Sequence, residues 1–191
     1  MLDAEAGKLW LAPGEAVLRD YRARKTAAEK ALASAADYRG AVRLYANIGS
    51  AGDVKDALAN GAEGIGLFRT EFLYMNRKTL PDEEEQFKAY KSAAEAMQGR
   101  EVIIRTMDIG ADKKTDCIPL PHEENPALGK RAIRICLDEP ELFRTQLRAL
   151  LRAAVFGDLR IMYPMISSEE EILDIRSQVK LAAEELDRRG D

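Results

Sequence analysis

Histidine occurs once and cysteine twice in this 191-residue chain, which removes several kinds of chemistry at the outset. Cys117 and Cys136 are too few and too far apart for a zinc cluster or a disulfide framework, so free thiols are expected. His122 lies in the polar stretch Pro119-Leu120-Pro121-His122-Glu123 with no Ser or Cys motif beside it, which favours a surface loop over a catalytic base. No uninterrupted apolar run approaches the roughly 18 residues that a membrane span needs, and the N-terminus lacks a basic-then-apolar signal segment. A cytoplasmic protein with no membrane partner is expected. Basic charge is not in excess either: 29 Lys and Arg stand against 33 Asp and Glu, for a formal net charge of −4. Without a block of clustered Lys and Arg, nucleic acid is not an expected partner.

What is present fits a globular chain with a sizeable core, since 46% of residues are hydrophobic and 32% charged. The length suits one domain, or one plus a short appendage. Residues 1–13 read as a stray strand around Leu9, Trp10 and Leu11, closed by the Pro13-Gly14 turn. Glu15 to about Asp37 is Ala-rich and charged, with a thin apolar stripe at Val17, Tyr21, Ala28 and Leu32, and suits a linker helix. After Gly40 short apolar runs alternate with amphipathic helices. Strands are predicted over 42–48, 64–70, 102–109 and 159–166; helices over 53–60, from Pro81 to Met97, over 139–156, and from Ser168 to the end. Four strand-then-helix repeats predict an α/β class with a parallel sheet covered by helices. A doubly wound sheet and a barrel both remain open on this pattern. A complete barrel takes about eight such units, and this chain has room for four.

Parallel α/β sheets hold ligands at the carboxyl ends of their strands, which singles out Arg69 and Arg105. The planar guanidinium fork binds phosphate or carboxylate bidentately and keeps its charge, so two of them at one mouth suit a small polyanion. The competing reading is a structural ion pair with Glu71 or Asp108. Arg131 and Arg134, three apart, could join the same site or form a solvated basic face on a turn. Arg144, Arg148 and Arg152 recur every four residues opposite the apolar face of their helix and read as solvated surface. Gly61, Gly64 and Gly66 mimic a phosphate loop, but no Lys-Ser/Thr follows and they precede a strand. Asp108 and Asp112 flank Gly110; two carboxylates on one loop fall short of a hard-cation site.

Five ordered segments carry a family resemblance. They are Ala46-Asn-Ile-Gly49, Gly61-Ala-Glu-Gly-Ile-Gly-Leu-Phe-Arg69-Thr-Glu-Phe-Leu-Tyr-Met75, Arg105-Thr-Met-Asp-Ile-Gly110, Glu124-Asn-Pro-Ala-Leu-Gly-Lys-Arg-Ala-Ile-Arg134 and Leu159-Arg-Ile-Met-Tyr-Pro-Met165. From about residue 41 onward the sequence resembles the phosphoenolpyruvate-binding barrel of the enzyme I family of the bacterial phosphotransferase system, within the PEP-utilising enzymes. The related pyruvate phosphate dikinases and phosphoenolpyruvate synthases share the Arg motifs and remain an alternative.

The resemblance implies a TIM-type (β/α) barrel of which this chain holds about half. Residues 1–13 would be the tail of a phosphohistidine (swivelling) domain, 14–39 a linker helix, and 40–191 the N-terminal half of the barrel. It implies Arg69 and Arg105 as phosphoenolpyruvate-binding residues, with Arg131 near the same pocket. The family passes the enol phosphoryl group to a histidine and on to a phosphocarrier protein, works with Mg²⁺ and forms homodimers. The departures are equally specific. The family's phosphohistidine motif is absent, and His122 does not match it. The Mg²⁺ ligands and the proton-donating Cys belong to later barrel segments, and neither Cys117 nor Cys136 matches that Cys. No catalytic or metal residue is therefore expected here, and the chain alone is expected to be inactive. The last helix ends at Arg188-Arg189-Gly190-Asp191 where a next strand would begin, so a fragment is expected; the rival is an anion-binding half-barrel module that dimerises.

Overall fold

The computed structural model describes residues 2–3, 7–35, 40–111, 115, 117–120 and 122–190, with the side chains of Leu2, Leu32 and Ala35 outside that description. Asp112 and the end of the predicted linker helix also lie outside it. Two compact units emerge, Met1–Ala41 and Val42–Asp191. In the first, the expected stray strand is instead a small antiparallel hairpin, β1 (Leu2–Asp3) and β2 (Lys8–Leu9), pairing Leu2 with Leu9 and Asp3 with Lys8. Gly7 at φ 61° supplies the left-handed residue before the return strand. Leu11, expected in a strand, is 88% exposed. Helix α1 (Glu15–Ala35) follows, and its Arg24 reaches Asp3 at 3.1 Å and Asp20 at 2.6 Å.

The second unit is built on β3 (Tyr45–Ile48), β4 (Gly64–Arg69), β5 (Val102–Arg105) and β6 (Leu159–Met162), all parallel. Spatial order equals chain order, β3-β4-β5-β6. A doubly wound sheet reverses its order at a switch point, and these four strands have no reversal. Between them come α2 (Val54–Ala59), α3 (Glu83–Ala96), α4 (Ile133–Asp138) and α5 (Pro140–Ala154), with α6 (Glu169–Arg189) last. Ala57 and Leu58 of α2, Tyr90, Ala93 and Met97 of α3, and Ala149, Leu150 and Ala153 of α5 share one cluster with Ile48, Ile65, Phe68, Val102 and Ile104. The helices therefore cover one face of the sheet. A second cluster joins Met107 and Ile109 beyond β5 to Phe143 and Leu147 of α5 and Ile175 and Ala182 of α6. No helix among the described residues is long and apolar enough to cross a membrane.

The predicted strands run longer than those found, each for a local reason. After Arg105 the chain leaves the sheet although Thr106 to Gly110 stay buried, because the amide of Met107 donates to the side chain of Gln146 instead of to a strand. β6 stops at Met162, since Pro164 lacks an amide hydrogen and Met165 turns to φ 68°. The short α4 and the one-turn helix at Thr70–Leu73 were not anticipated.

The α5 arginine stripe is not solvated surface. Arg148 is 7% exposed and pairs with Glu83 at 2.6 Å and Glu185 at 2.5 Å. Arg152 pairs with Glu83 and Glu84 at 3.0 Å each, and Arg144 pairs with Glu141 and with Glu185 at 3.2 Å. The acidic first turn of α3 and the end of α6 close over the stripe, so an i, i+4, i+8 set of cations becomes the seam of three helices. Spacing within α5 could not reveal carboxylates lying 37 to 69 residues away.

Candidate anion-binding site

Arg69 ends β4, Arg105 ends β5, and the two are direct register partners. What aims them to one side is an irregularity in β4. Against β3, Ile65 pairs with Ala46 and Leu67 with Asn47, so Gly66 is an extra residue, and the register to β5 shifts over the same stretch. Strict alternation would send Arg69 to the same face as Ile65, into the helix-side core. With one residue bulged, Ile65 and Phe68 both face the helices, and Arg69 leaves on the opposite face. Arg105 follows buried Ile104 and leaves on that face too. The glycines read as a false phosphate loop thus have another use. A Cβ on Gly64 would lie 2.2 Å from the Tyr45 ring, and one on Gly66 3.0 Å from the Tyr45 Cβ, so Tyr45 lies across them.

The two guanidiniums meet different surroundings. Arg105 donates from Nη2 to Glu71 Oε1 at 2.8 Å, and its Nη1 lies 3.0 Å from Asp108 Oδ2. The ion pairs weighed from the sequence are therefore present at Arg105. Arg69 pairs with no carboxylate among the described residues; its guanidinium sits 4.7 Å above the centre of the Phe72 ring. The Nε of Arg69 and that of Arg105 are both buried and have no hydrogen-bond partner among the described residues. A buried donor left unmade costs free energy unless a ligand completes it. Of the second pair, Arg131 comes to the same place, donating to Asp108 Oδ1 at 2.9 Å, while Arg134 instead closes its own loop on the carbonyls of Leu128 and Gly129.

β3 contributes the third side. A Cβ on Gly49 would lie 2.9 Å from the Phe72 ring and 3.6 Å from Arg69 Nη2, so glycine there lets both approach. Asp53 accepts the amides of Gly49 at 2.9 Å and Ser50 at 3.0 Å. The Gly49 amide first, then the Ser50 groups and the charge of Arg69, hold the Asp53 carboxyl below its ordinary range. Gly49, Gly66, Phe72 and Asp53 were not picked out as site residues. Gly64 and Gly66 within a strand are the sequence signal that could have pointed to the bulge.

The mouth is suited to an anion with two charged ends, one near each strand end. A cavity of about 720 Å³ opens elsewhere, on the helix side between Tyr74, Gln86, Ile135 and Arg148, and does not include these arginines. Magnesium, implied by the family resemblance, does not fit the residues present. Glu71 and Asp108 are engaged by Arg105 and Arg131, and no group of three or more His, Cys, Asp or Glu among the described residues could hold a metal ion. His122 is exposed, and burial pushes the Cys136 thiol up to about 12.

A family model and several named relatives match this chain. The family described as "PEP-utilising enzyme, PEP-binding domain" matches residues 22–191. Phosphoenolpyruvate-protein phosphotransferase of Staphylococcus carnosus (strain TM300) is 45% identical over 199 residues, covering 100% of this chain and 35% of the relative. The protein of that name from Bacillus subtilis (strain 168) is 54% identical over 149 residues, covering 78% of this chain and 26% of the relative. A multiphosphoryl transfer protein of Shigella flexneri is 47% identical across 100% of this chain and 24% of its own length. The chain thus spans between 24% and 35% of the length of these relatives. With a match over 170 of its residues and strand-end arginines aimed to one side, the chain belongs to the PEP-utilising enzyme family, in the part described as the PEP-binding domain.

Proposed function

We propose that Arg69 and Arg105 bind phosphoenolpyruvate, as part of a phosphoenolpyruvate-protein phosphotransferase of the enzyme I type. The observation that carries this reading is their register pairing at neighbouring strand ends, with Arg69 held by a ring instead of a carboxylate. Phosphoenolpyruvate offers a phosphate and a carboxylate a few bonds apart, and each can take a guanidinium fork. Arg69 brings unspent donors to the phosphate; Arg105, fixed by Glu71 and Asp108, lends a positioned charge. Phosphoryl transfer depends on such positioning and charge neutralisation more than on covalent help from the protein. Arg131, on Asp108, flanks the same place.

The wider reading follows the relatives' names. The four-stranded sheet, singly wound by its chain-order strands, is read as half of a TIM-type barrel covering residues 40–191. Residues 1–13 are read as the tail of a phosphohistidine domain and 14–39 as its linker helix. In the whole protein the phosphoryl group passes to a histidine and then to a phosphocarrier protein, in the cytoplasm, as a homodimer using Mg²⁺. This chain lacks the phosphoacceptor and is assigned binding without turnover.

Calorimetric titration of the 191-residue chain with phosphoenolpyruvate tests the binding. One site is expected, weakened about tenfold to a hundredfold in Arg69→Ala or Arg105→Ala, the loss of one or more charged hydrogen bonds. Unchanged affinity in a folded Arg69→Ala variant would overturn the assignment. Labelled phosphoenolpyruvate incubated with the chain and a phosphocarrier protein is expected to transfer nothing.

A further inference from the structure

The apolar face of α5 carries one fully buried glutamine, Gln146, between Phe143 and Leu150. A buried amide among leucines costs stability unless every group finds a partner, and this one does. Its Oε1 accepts the Met107 amide at 3.0 Å; its Nε2 donates to the Tyr90 hydroxyl at 3.0 Å and to Thr70 Oγ1 at 3.3 Å. Because a backbone amide only donates, the Met107 bond fixes which end of the Gln146 amide is oxygen. Thr70 in turn donates its hydroxyl to the Arg105 carbonyl at 2.8 Å.

The place of these bonds gives them their meaning. The ladder between β4 and β5 ends at the Arg69–Arg105 pair. Thr70 is the residue after Arg69, and Met107 lies two after Arg105. The side chains of Gln146 and Thr70 therefore continue the cross-strand tie where backbone pairing stops. They act on the carbonyl of Arg105 itself and on the backbone adjoining Arg69.

We propose that Gln146 and Thr70 are positioning residues, a buried clamp that sets the separation and direction of the Arg69 and Arg105 guanidiniums. The inference rests on the reading of those arginines as the phosphoenolpyruvate site, and it makes a distinction that reading alone does not. A ligand charged at both ends needs the two arginines correctly spaced; inorganic phosphate, satisfied at one fork, does not. The clamp thus favours phosphoenolpyruvate over phosphate.

Thr70→Val keeps the shape and removes the hydroxyl. In calorimetry with the 191-residue chain, phosphoenolpyruvate affinity is expected to fall about tenfold while inorganic phosphate affinity changes less than about twofold. Thr70→Ser, which restores the hydroxyl, is expected to recover the ratio of the two. Gln146→Met, similar in length and without polar groups, is expected to lower the ratio in the same direction. An unchanged ratio in either folded variant, or a Thr70→Ser variant that behaves like Thr70→Val, overturns the clamp. A second readout needs no ligand. In the free protein, the Nε–H resonances of Arg69 and Arg105 are expected to shift in Gln146→Met, and those of Arg148 and Arg152 to stay in place. Unmoved Arg69 and Arg105 resonances refute the clamp even if phosphoenolpyruvate binds. Shifted resonances with no binding to the wild-type chain refute the ligand assignment instead.

Discussion

Two sets of arginines lie on opposite sides of the same sheet, and they differ in what surrounds them. On the helix side, Arg144, Arg148 and Arg152 of α5 meet Glu83, Glu84, Glu141 and Glu185 from α3, α5 and α6. On the other side, Arg69 faces a phenylalanine ring and pairs with no carboxylate among the described residues. A guanidinium paired with two carboxylates, as each of the stripe is, holds structure. One held by an aromatic face keeps its charge for something else. Burial does not separate the two sides, since Arg105 and Arg148 are both largely covered; what stands apart is the partner of Arg69, a ring where Arg105 and the α5 stripe have carboxylates.

The sharpest way to break this comparison is to remove Arg148. Arg148→Met leaves the half-buried Glu83 and Glu185 with less compensation, and Arg152 and Arg189 remain on Glu83 to absorb part of the loss. A destabilisation of about 3 kcal/mol is expected in the urea midpoint, with phosphoenolpyruvate affinity of the folded fraction unchanged. An affinity loss as large as the stability loss would mean that the two sets are one system.

Arg69→Lys makes the reverse cut. The charge stays and the fork goes, so affinity for phosphoenolpyruvate is expected to fall about tenfold while stability changes by less than about 0.5 kcal/mol. A large stability loss here would show that Arg69 is structural after all.

A smaller effect separates the seam by pH. Burial pushes the Glu83 carboxyl up, but Arg148, Arg189 and Arg152 together outweigh it and hold the group below its ordinary value. A depressed carboxyl contributes stability that is fully present above its unfolded value and lost as pH falls through the folded one. Stability is therefore expected to decline between about pH 5 and pH 3, and to decline less steeply in Glu83→Gln. Equal slopes for the two proteins in denaturation series across that range would remove Glu83 from the account.

How much of this the sequence carries differs between the two sets. The strand-and-helix alternation is visible because each element is long enough to repeat its own period, and Arg69 and Arg105 stand out because they follow apolar runs. That they share a face does not follow from alternation, which would put Arg69 with Ile65; the extra residue at Gly66 decides it. The α5 stripe departs from the solvated surface its spacing predicts for a related reason. Helical spacing tells which residues of one helix share a side, and says nothing about what another helix brings to that side. Gln146 is the same case in the core, because its meaning depends on the Met107 amide and the Thr70 hydroxyl that the fold delivers.

The finest test of the comparison is the ring under Arg69. Phe72 is 46% exposed, so it adds little to the core, and its replacement by leucine should leave the urea midpoint where it was. The cation–ring attraction at a partly exposed site is worth about 0.5 to 1 kcal/mol, so Phe72→Leu is expected to weaken phosphoenolpyruvate binding about twofold to fivefold. The direction matters more than the size. If the ring orders the guanidinium and leaves its edge donors free, losing the ring loosens Arg69 and affinity drops. If the ring competes with the ligand for the cation, the same substitution raises affinity. A rise in the calorimetric titration would mean that Arg69 is also a satisfied arginine, differing from the α5 set only in the kind of partner that occupies it.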